Sequence, residues 1–394
     1  MPDCPEHLSD RKTGQRYGGE MSIQAVVLAA GEGMRLRPLT KNRPKVLLPA
    51  GNRPILEHVL DAVVGAGIRD IIVVVGYKKE QVLKFLNTYP VPVKTVVQNK
   101  QLGTFHAVSC AKSEITADRL LIIPGDNYVN AESIRALIRE ENAALVAPHK
   151  RPWDYGVIKQ NEGILCSTNM HAYDAPAGSL VETGAYILEK RLYEALFAID
   201  EPDNVVNDMD YTKFNVKVVE AKGWYDADCF ADLLELNRYL LGKQKSLLRG
   251  SIDQRATIRG HVVIGKNVKV GPGTVINGPV IIGDDCEIHP NVCIEAGTSL
   301  GARVTVEPFT YLKNSIVMSD TYIGAQSRVV DSIIGEGCSL EQVGTSSYGF
   351  GAVIGDRTTV GAFTRLRGAV IGNNVDIDGG RLIETEIPND TRVM

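Results

Sequence analysis

The sequence predicts a Rossmann-like α/β domain with a mostly parallel sheet, followed by a left-handed parallel β-helix. Three observations carry this reading. Residues 23 to about 240 alternate short β-rich apolar runs with amphipathic helical stretches. From Ile258 onward an apolar residue recurs at every sixth position. Between them in importance stands "LAAGEGMRLRPLTKNRPKVLLP", residues 28 to 49, where glycine, proline, arginine and lysine crowd one loop behind an apolar strand.

The first half reads in order as follows. "IQAVVLAAG" is a short apolar strand ending in glycine, and "PILEHVLDAVVGAG" has helical spacing with Ile55, Val59, Ala62 and Val63 on one side. "DIIVVVGY" is a second strand, "KEQVLKFLNTY" a second helix, and "RLLIIPGDN" a third strand closed by glycine and aspartate. Continuous β-rich runs separated by amphipathic helices imply parallel strands covered on both faces. Ligands of such sheets collect at the carboxyl ends of the strands, which puts "AAGEGMR" and "PGDN" on one rim.

The second half follows a different period. Ile258, Ile264, Val270, Ile276, Ile282, Ile288, Ile294, Leu300, Val306, Leu312 and Met318 form an unbroken series of six. An α-helix would spread these residues around its axis. A coil with triangular sides of six residues points all of them into the stack, as in hexapeptide-repeat β-helices. The phase is expected to slip by one near "YIGAQS" and again after "DSIIGEG", to lapse at "EQVGTSSYGFG", and to resume at "AVIGDRTTVGAFTRLRGAVIGNNVDI". The expected division is a disordered tail over residues 1–22, an α/β domain over 23–235, a helical linker over 236–252 and the β-helix over 253–394. The tail is polar and lacks the apolar core of a secretory signal, and Met21 is an alternative start ahead of the first strand.

Composition bounds the partners. The 394 residues carry 43 basic and 47 acidic side chains, a net charge of −4 with no basic stripe, which argues against a nucleic-acid partner. No apolar run reaches the roughly 18 residues of a membrane span. The seven cysteines are scattered without C-x-x-C pairs, so neither a zinc site nor a disulfide framework is expected, and reduced thiols in a cytoplasmic protein are.

The crowded loop asks for an anion. Gly31 and Gly33 permit a sharp turn and close backbone approach to a ligand, with amides free for phosphate oxygens. Arg35 adds a forked donor and Lys45 a point charge, while Pro38, Pro44 and Pro49 stiffen the segment.

This stretch resembles the G-x-G-x-R…P-K signature of the sugar-1-phosphate nucleotidylyltransferases, whose fold is of the nucleotide-diphospho-sugar transferase type. "QNKQLGTFHAV", "IIPGDN", "WDYGVI" and "GWYDADCFADLLELN" resemble further motifs of that family and fall in the same order. The resemblance implies in-line attack of a sugar-1-phosphate oxygen on the α-phosphorus of a nucleoside triphosphate, with pyrophosphate leaving. It implies Arg35 on the β- and γ-phosphates, Lys45 on the α-phosphate, and a nucleotide site of Ala30, Gly31, Gly33, Gln98, Gln101, Gly103 and Thr104. Gln98 and Gly103 would read the edge of a pyrimidine, from UTP or dTTP. Mg²⁺ is the implied cofactor, with Asp126 and Asp226 as ligands and Asp228 as the alternative to Asp226. Gly156, Glu182 and Thr183 fall at the sugar, which for this family is a hexose-1-phosphate such as glucose-1-phosphate or N-acetylglucosamine-1-phosphate. The β-helix extends the likeness to bifunctional members that also acetylate the sugar, and members with such prisms commonly form trimers.

The sequence departs from the pattern on the sugar side. A charged pair that contacts the sugar phosphate in the family falls near Met170 and His171 here, and Glu182 stands where asparagine is usual. In the β-helix, Phe309 stands in place of the histidine expected as general base two residues before Tyr311, and the other histidines there are His261 and His289. The expectation is therefore a nucleotidylyltransferase without acetyl transfer, with the bifunctional enzyme and a non-catalytic regulatory paralogue as alternatives.

Overall fold

The computed structural model describes residues 21–170, 172–197, 214–346 and 350–394. The tail expectation for residues 1–20 and the position of His171 lie outside the described residues, as do residues 347–349 of the "EQVGTSSYGFG" stretch.

The first domain is a nine-stranded sheet. Its strands are β1 (Ile23–Ala29), β2 (Ile71–Val75), β3 (Lys94–Val97), β4 (Arg119–Pro124), β5 (Ala143–Pro148), β6 (Gly156–Asn161), β7 (Ile164–Met170), β8 (Leu180–Glu189) and β9 (Lys217–Glu220). Across the sheet they run β3-β2-β1-β4-β8-β5-β9-β7-β6. The four strands from β3 to β4 are parallel, and β8 enters antiparallel to both β4 and β5. Strand β1 shows why both faces must be covered. Ala25, Val27 and Ala29 belong to one apolar core and Val26 and Ala30 to another, following the two-residue alternation of a strand. Helix α1 (Ile55–Gly65) packs on the first face with Ile55, Val59, Ala62 and Val63 all buried. The opposite face is closed by α3 (Gly103–Cys110) and α5 (Lys190–Phe197), with α2 (Lys79–Leu86) and α4 (Ala131–Leu137) on the side of α1.

Helix α6 (Phe230–Lys243) leads out of this domain. The segment read as a linker is helix at its start and coil at its end, because Leu247–Leu248 and Ser251–Ile252 already pair with the next turn of the β-helix. The left-handed β-helix has three flat sides of nine, nine and eight parallel strands. Its core is the stack of inward side chains anticipated from the six-residue period, from Ile264 through Leu312.

The position of the first phase slip differs from the sequence reading. Val280 pairs with Thr298, 18 residues on, but Leu300 pairs with Val317, 17 residues on. Val317, not Met318, therefore joins the prism core. The coil has shortened before "YIGAQS". Side chains alternate along a strand, so Ile316 and Met318 point outward, and with Ile333 and Val353 they enter the core of the α/β domain. Each such buried side chain contributes about 1.5–3 kcal/mol of gross apolar stabilisation, so the two domains share one core.

A buried polar pin completes the junction. Asn237 of α6 accepts from the Gly51 amide at 2.8 Å and the Ser299 hydroxyl at 3.0 Å, and donates to the Gly297 carbonyl at 2.9 Å.

Candidate active site

The rim at the carboxyl end of β1 is shaped by two close approaches. Gly33 has φ +71°, and a Cβ there would lie 2.6 Å from the Cβ of Lys45, so glycine is required for both conformation and space. Gly125, after β4, lies where a Cβ would meet the Leu28 carbonyl oxygen at 2.8 Å, which lets Asp126 follow directly at the rim. Gly31 differs from the turn role anticipated for it. Its φ is not in the left-handed region, and a Cβ would meet nothing within 4 Å. What glycine offers there is an open approach to the backbone.

Lys45 is buried and points its ammonium among three carboxylates. Nζ lies 2.8 Å from Asp126 Oδ2, 3.6 Å from Asp226 Oδ1 and 3.8 Å from Asp228 Oδ1. Arg35 pairs with the other oxygen of Asp228 and is otherwise exposed. Burial alone would lower the Lys45 pKa, but Asp126 and Asp226, with Asp228, outweigh it and the net shift is upward. Burial raises the Asp226 carboxyl to about 6, with Lys45 opposing the rise and Asp126 and Asp228 adding to it. Three segments meet here: the turn after β4 supplies Asp126, the residues just after the short strand Trp224–Tyr225 supply Asp226 and Asp228, and the loop from β1 supplies Lys45. Trp224–Tyr225 is held by antiparallel pairing to Tyr128–Val129, two residues past Asp126, which brings the distant aspartates together.

Among the described residues no group of three or more His, Cys, Asp or Glu is arranged to hold a metal unaided. Asp126 and Asp226 nevertheless converge on one cationic atom, and hard carboxylate oxygens of that number suit Mg²⁺, which keeps waters and takes phosphate oxygens for the rest.

The residues expected at the nucleotide adjoin the glycine loop. Gln101 Nε2 donates to the Ala30 carbonyl at 2.8 Å, tying the two segments. Gln98 is buried at the end of β3, and its Nε2 contacts the Gly103 carbonyl at 3.2 Å and His106 Nδ1 at 2.9 Å. With the amide nitrogen engaged, the Gln98 carbonyl oxygen is the end left to accept a hydrogen bond. Gly103 opens α3 at φ +82°, and Thr104 is exposed on its first turn. His106 was not anticipated; it lies inside the quoted "QLGTFHAV" motif but gives no signal of its own before α3 folds.

Of the residues expected at the sugar, Gly156 is buried at the start of β6, paired with Met170 of β7. Thr183 is buried, donates its hydroxyl to the Leu145 carbonyl at 2.8 Å, and accepts at its own carbonyl from Asn127 Nδ2 at 3.2 Å. Glu182 precedes it at an irregularity in the β8–β5 register. Burial pushes its carboxyl up to about 7, against hydrogen bonds from Tyr186 and Thr168, and Oε1 is buried with no partner. Sequence reasoning also missed an aromatic group beside Asp226: His149, Tyr155 and Trp224 pack edge to face with ring centroids 4.6–5.7 Å apart. Phe309, by contrast, is exposed at φ +62° on a corner of the β-helix, far along the chain from these residues.

Comparison with known proteins agrees with this geometry. Residues 24–241 match the nucleotidyl transferase family, and residues 276–345 match the GMPPB C-terminal domain. The chain is 30% identical over 400 residues to the bifunctional protein GlmU of Methanocaldococcus jannaschii, covering 94% of this chain and 97% of that one. It is 28% identical to the low-salt glycan biosynthesis nucleotidyltransferase Agl11 of Haloferax volcanii, over 81% of this chain and 94% of that one. It is 27% identical to a glucose-1-phosphate thymidylyltransferase of Streptomyces griseus, over 94% and 97%. With a family match across more than half of its length and an archaeal relative aligned almost end to end, the chain belongs to the sugar-1-phosphate nucleotidylyltransferases.

Proposed function

We propose that the protein condenses UTP or dTTP with a hexose-1-phosphate, glucose-1-phosphate or N-acetylglucosamine-1-phosphate, giving a UDP- or dTDP-sugar and pyrophosphate with the aid of Mg²⁺. The observation that carries the reading is Lys45, held 2.8 Å from Asp126 with Asp226 and Asp228 inside 4 Å. Three carboxylates face two cations, Lys45 and Arg35, so the cluster retains negative charge that suits a divalent ion. Asp126 and Asp226 would hold it, and it would neutralise phosphate charge as pyrophosphate departs.

The chain's own groups supply the rest. Lys45, which stays protonated, steadies the α-phosphate. Arg35 is exposed and free to exchange Asp228 for the β- and γ-phosphates. The open backbone at Gly31 lets the triphosphate approach the amides. Gln98, with its nitrogen occupied, accepts from the ring N–H of a pyrimidine, and Gly103 and Thr104 lie beside it. Two anions must meet in line, and fixed charge with fixed orientation is what this arrangement offers.

A second reading, added acetyl transfer, is favoured by one observation: the near full-length similarity to a relative named as bifunctional. Phe309 cannot act as a base, which weighs against it. The prism's flat sides further support assembly as a homotrimer.

The test is pyrophosphate release with Mg²⁺, using UTP and dTTP against glucose-1-phosphate, N-acetylglucosamine-1-phosphate and glucosamine-1-phosphate, with thiol release from acetyl-CoA followed in parallel. Release with one pyrimidine nucleotide and no thiol supports the first reading; thiol release with a hexosamine phosphate supports the second. No pyrophosphate with any pair contradicts both.

A further inference from the structure

The loop from Gly33 to Lys45 contains only two single 3₁₀ turns, Met34–Leu36 and the one beginning at Lys45, so tertiary contacts set its position. Many of those contacts come from the β-helix, more than 290 residues away in sequence. Arg43, two residues ahead of Lys45, donates through Nη2 to Asp356 Oδ1 at 2.9 Å and to Glu336 Oε2 at 3.0 Å. Asn42 donates to the other Asp356 oxygen at 3.1 Å. Asn373 donates to the Pro38 carbonyl at 3.0 Å. The loop is also held by its own domain, where Gln81 donates to the Asn42 carbonyl at 2.8 Å and Tyr77 to the Lys41 carbonyl at 3.1 Å.

Glu336, Asp356 and Asn373 stand on successive coils at one corner of the prism. The corner has a repeating polar rung in which a side chain accepts from the backbone amide of the coil before. Asp284 accepts from Lys266 N at 2.8 Å, Asp356 from Glu336 N at 2.9 Å, and Asn373 from Asp356 N at 2.6 Å. Among the described residues the Asp284 side chain makes no other hydrogen bond, whereas Asp356 also holds the loop. The Asp356 side chain is 5% exposed and that of Arg43 18%, so this pair is shielded in a way that surface ion pairs are not.

We propose that Asp356 is a positioning residue for nucleotidyl transfer: through Arg43 and Asn42 it fixes the loop that presents Lys45, so the β-helix takes part in building the active site as well as in assembly. The proposal rests on the nucleotidylyltransferase reading of Lys45. Misplacing a reacting group by about 1 Å can slow a reaction about 100-fold, so a docking contact outside the site has kinetic weight.

The experiment compares the full chain with Asp356→Asn, Arg43→Leu and Asp284→Asn. Asparagine at 356 can still accept from Glu336 N but loses the charge facing Arg43 and turns a donor toward Asn42. Arg43→Leu cuts the same contact from the loop side and leaves the prism intact, which covers a failure of the first variant to fold. Asp284→Asn alters an equivalent rung that does not touch the loop. The readouts are amide hydrogen exchange over residues 38–48 and the split of kcat from KM. Asp356→Asn and Arg43→Leu are expected to speed exchange over the loop by about 10-fold or more and to lower kcat by about 10-fold. The KM for sugar phosphate should stay within about two-fold, and Asp284→Asn should match the unaltered chain. Unchanged exchange and kcat in the first two variants, or an equal effect of Asp284→Asn, overturns the proposal. If the unaltered chain releases no pyrophosphate, the enzymatic reading fails by itself, and the exchange comparison alone still decides whether Asp356 fixes the loop.

Discussion

A Cβ on Gly33 would stand 2.6 Å from the Cβ of Lys45, so the glycine and the lysine of the loop motif occupy one another's space. This contact explains why the two residue types occur together across twelve positions. The glycine makes room for the stem of the lysine, and the lysine then reaches Asp126 from beneath the turn.

Replacing Gly33 by alanine should therefore strain the left-handed turn and push Lys45 away from Asp126. The expected cost is about 1–2 kcal/mol in unfolding free energy and at least a roughly 10-fold loss of pyrophosphate release. Gly31→Ala meets no protein atom, so its unfolding midpoint should equal that of the unaltered chain, and any loss of activity there reports on ligand approach. Chemical denaturation and steady-state assays of both variants check this.

Glu182 should give the protein a pH-dependent stability. Its carboxyl is pushed up to about 7 by burial, from a usual value of 4.5. The folded chain thus binds this proton more tightly than the unfolded chain does. The stabilisation from it is complete below about pH 4.5 and is lost as pH rises through about 7. Glu182→Gln cannot titrate. The unfolding free energy of the unaltered chain minus that of Glu182→Gln should fall by up to about 3 kcal/mol across that window and level off above it. Urea titrations at several pH values measure the difference; a difference that does not change with pH contradicts the burial of this carboxyl.

Asn237→Ala should weaken the junction of the two domains. The side chain is fully buried and makes three hydrogen bonds, and its loss leaves the Gly51 amide and the Gly297 carbonyl without that partner. The expected destabilisation is about 2–4 kcal/mol, read from the shift in the urea midpoint. A midpoint within experimental error of the unaltered chain would mean that the junction relaxes around the gap.

The architecture was legible because both of its periods are local. Strand–helix alternation reports burial on two faces, and the six-residue series from Ile264 to Leu312 reports a prism whose core repeats by coil. The slip at Val317 was harder to place because Ile316, Val317 and Met318 are all apolar, and only the docking of the other domain tells which two face out. At the site, the motif order brought Lys45, Asp126 and Asp226 into view, but spacing could not separate Asp226 from Asp228. Both face Lys45, and Asp228 also pairs with Arg35. The bond from Arg43 to Asp356 spans 313 residues and joins two domains, so no local pattern announces it. His106 and the His149–Tyr155–Trp224 group were likewise hidden, since aromatic packing depends on the sheet that assembles it.

The measurement that bears most directly on the account is pyrophosphate release by the unaltered chain and by Lys45→Met under identical saturating UTP or dTTP, sugar-1-phosphate and Mg²⁺. Release by the unaltered chain is expected, with a rate at least about 100-fold lower in Lys45→Met, because an ammonium fixed among three aspartates is lost from the α-phosphate. A Lys45→Met rate within a few-fold of the unaltered chain would contradict it, and would remove Lys45 from the centre of the transfer.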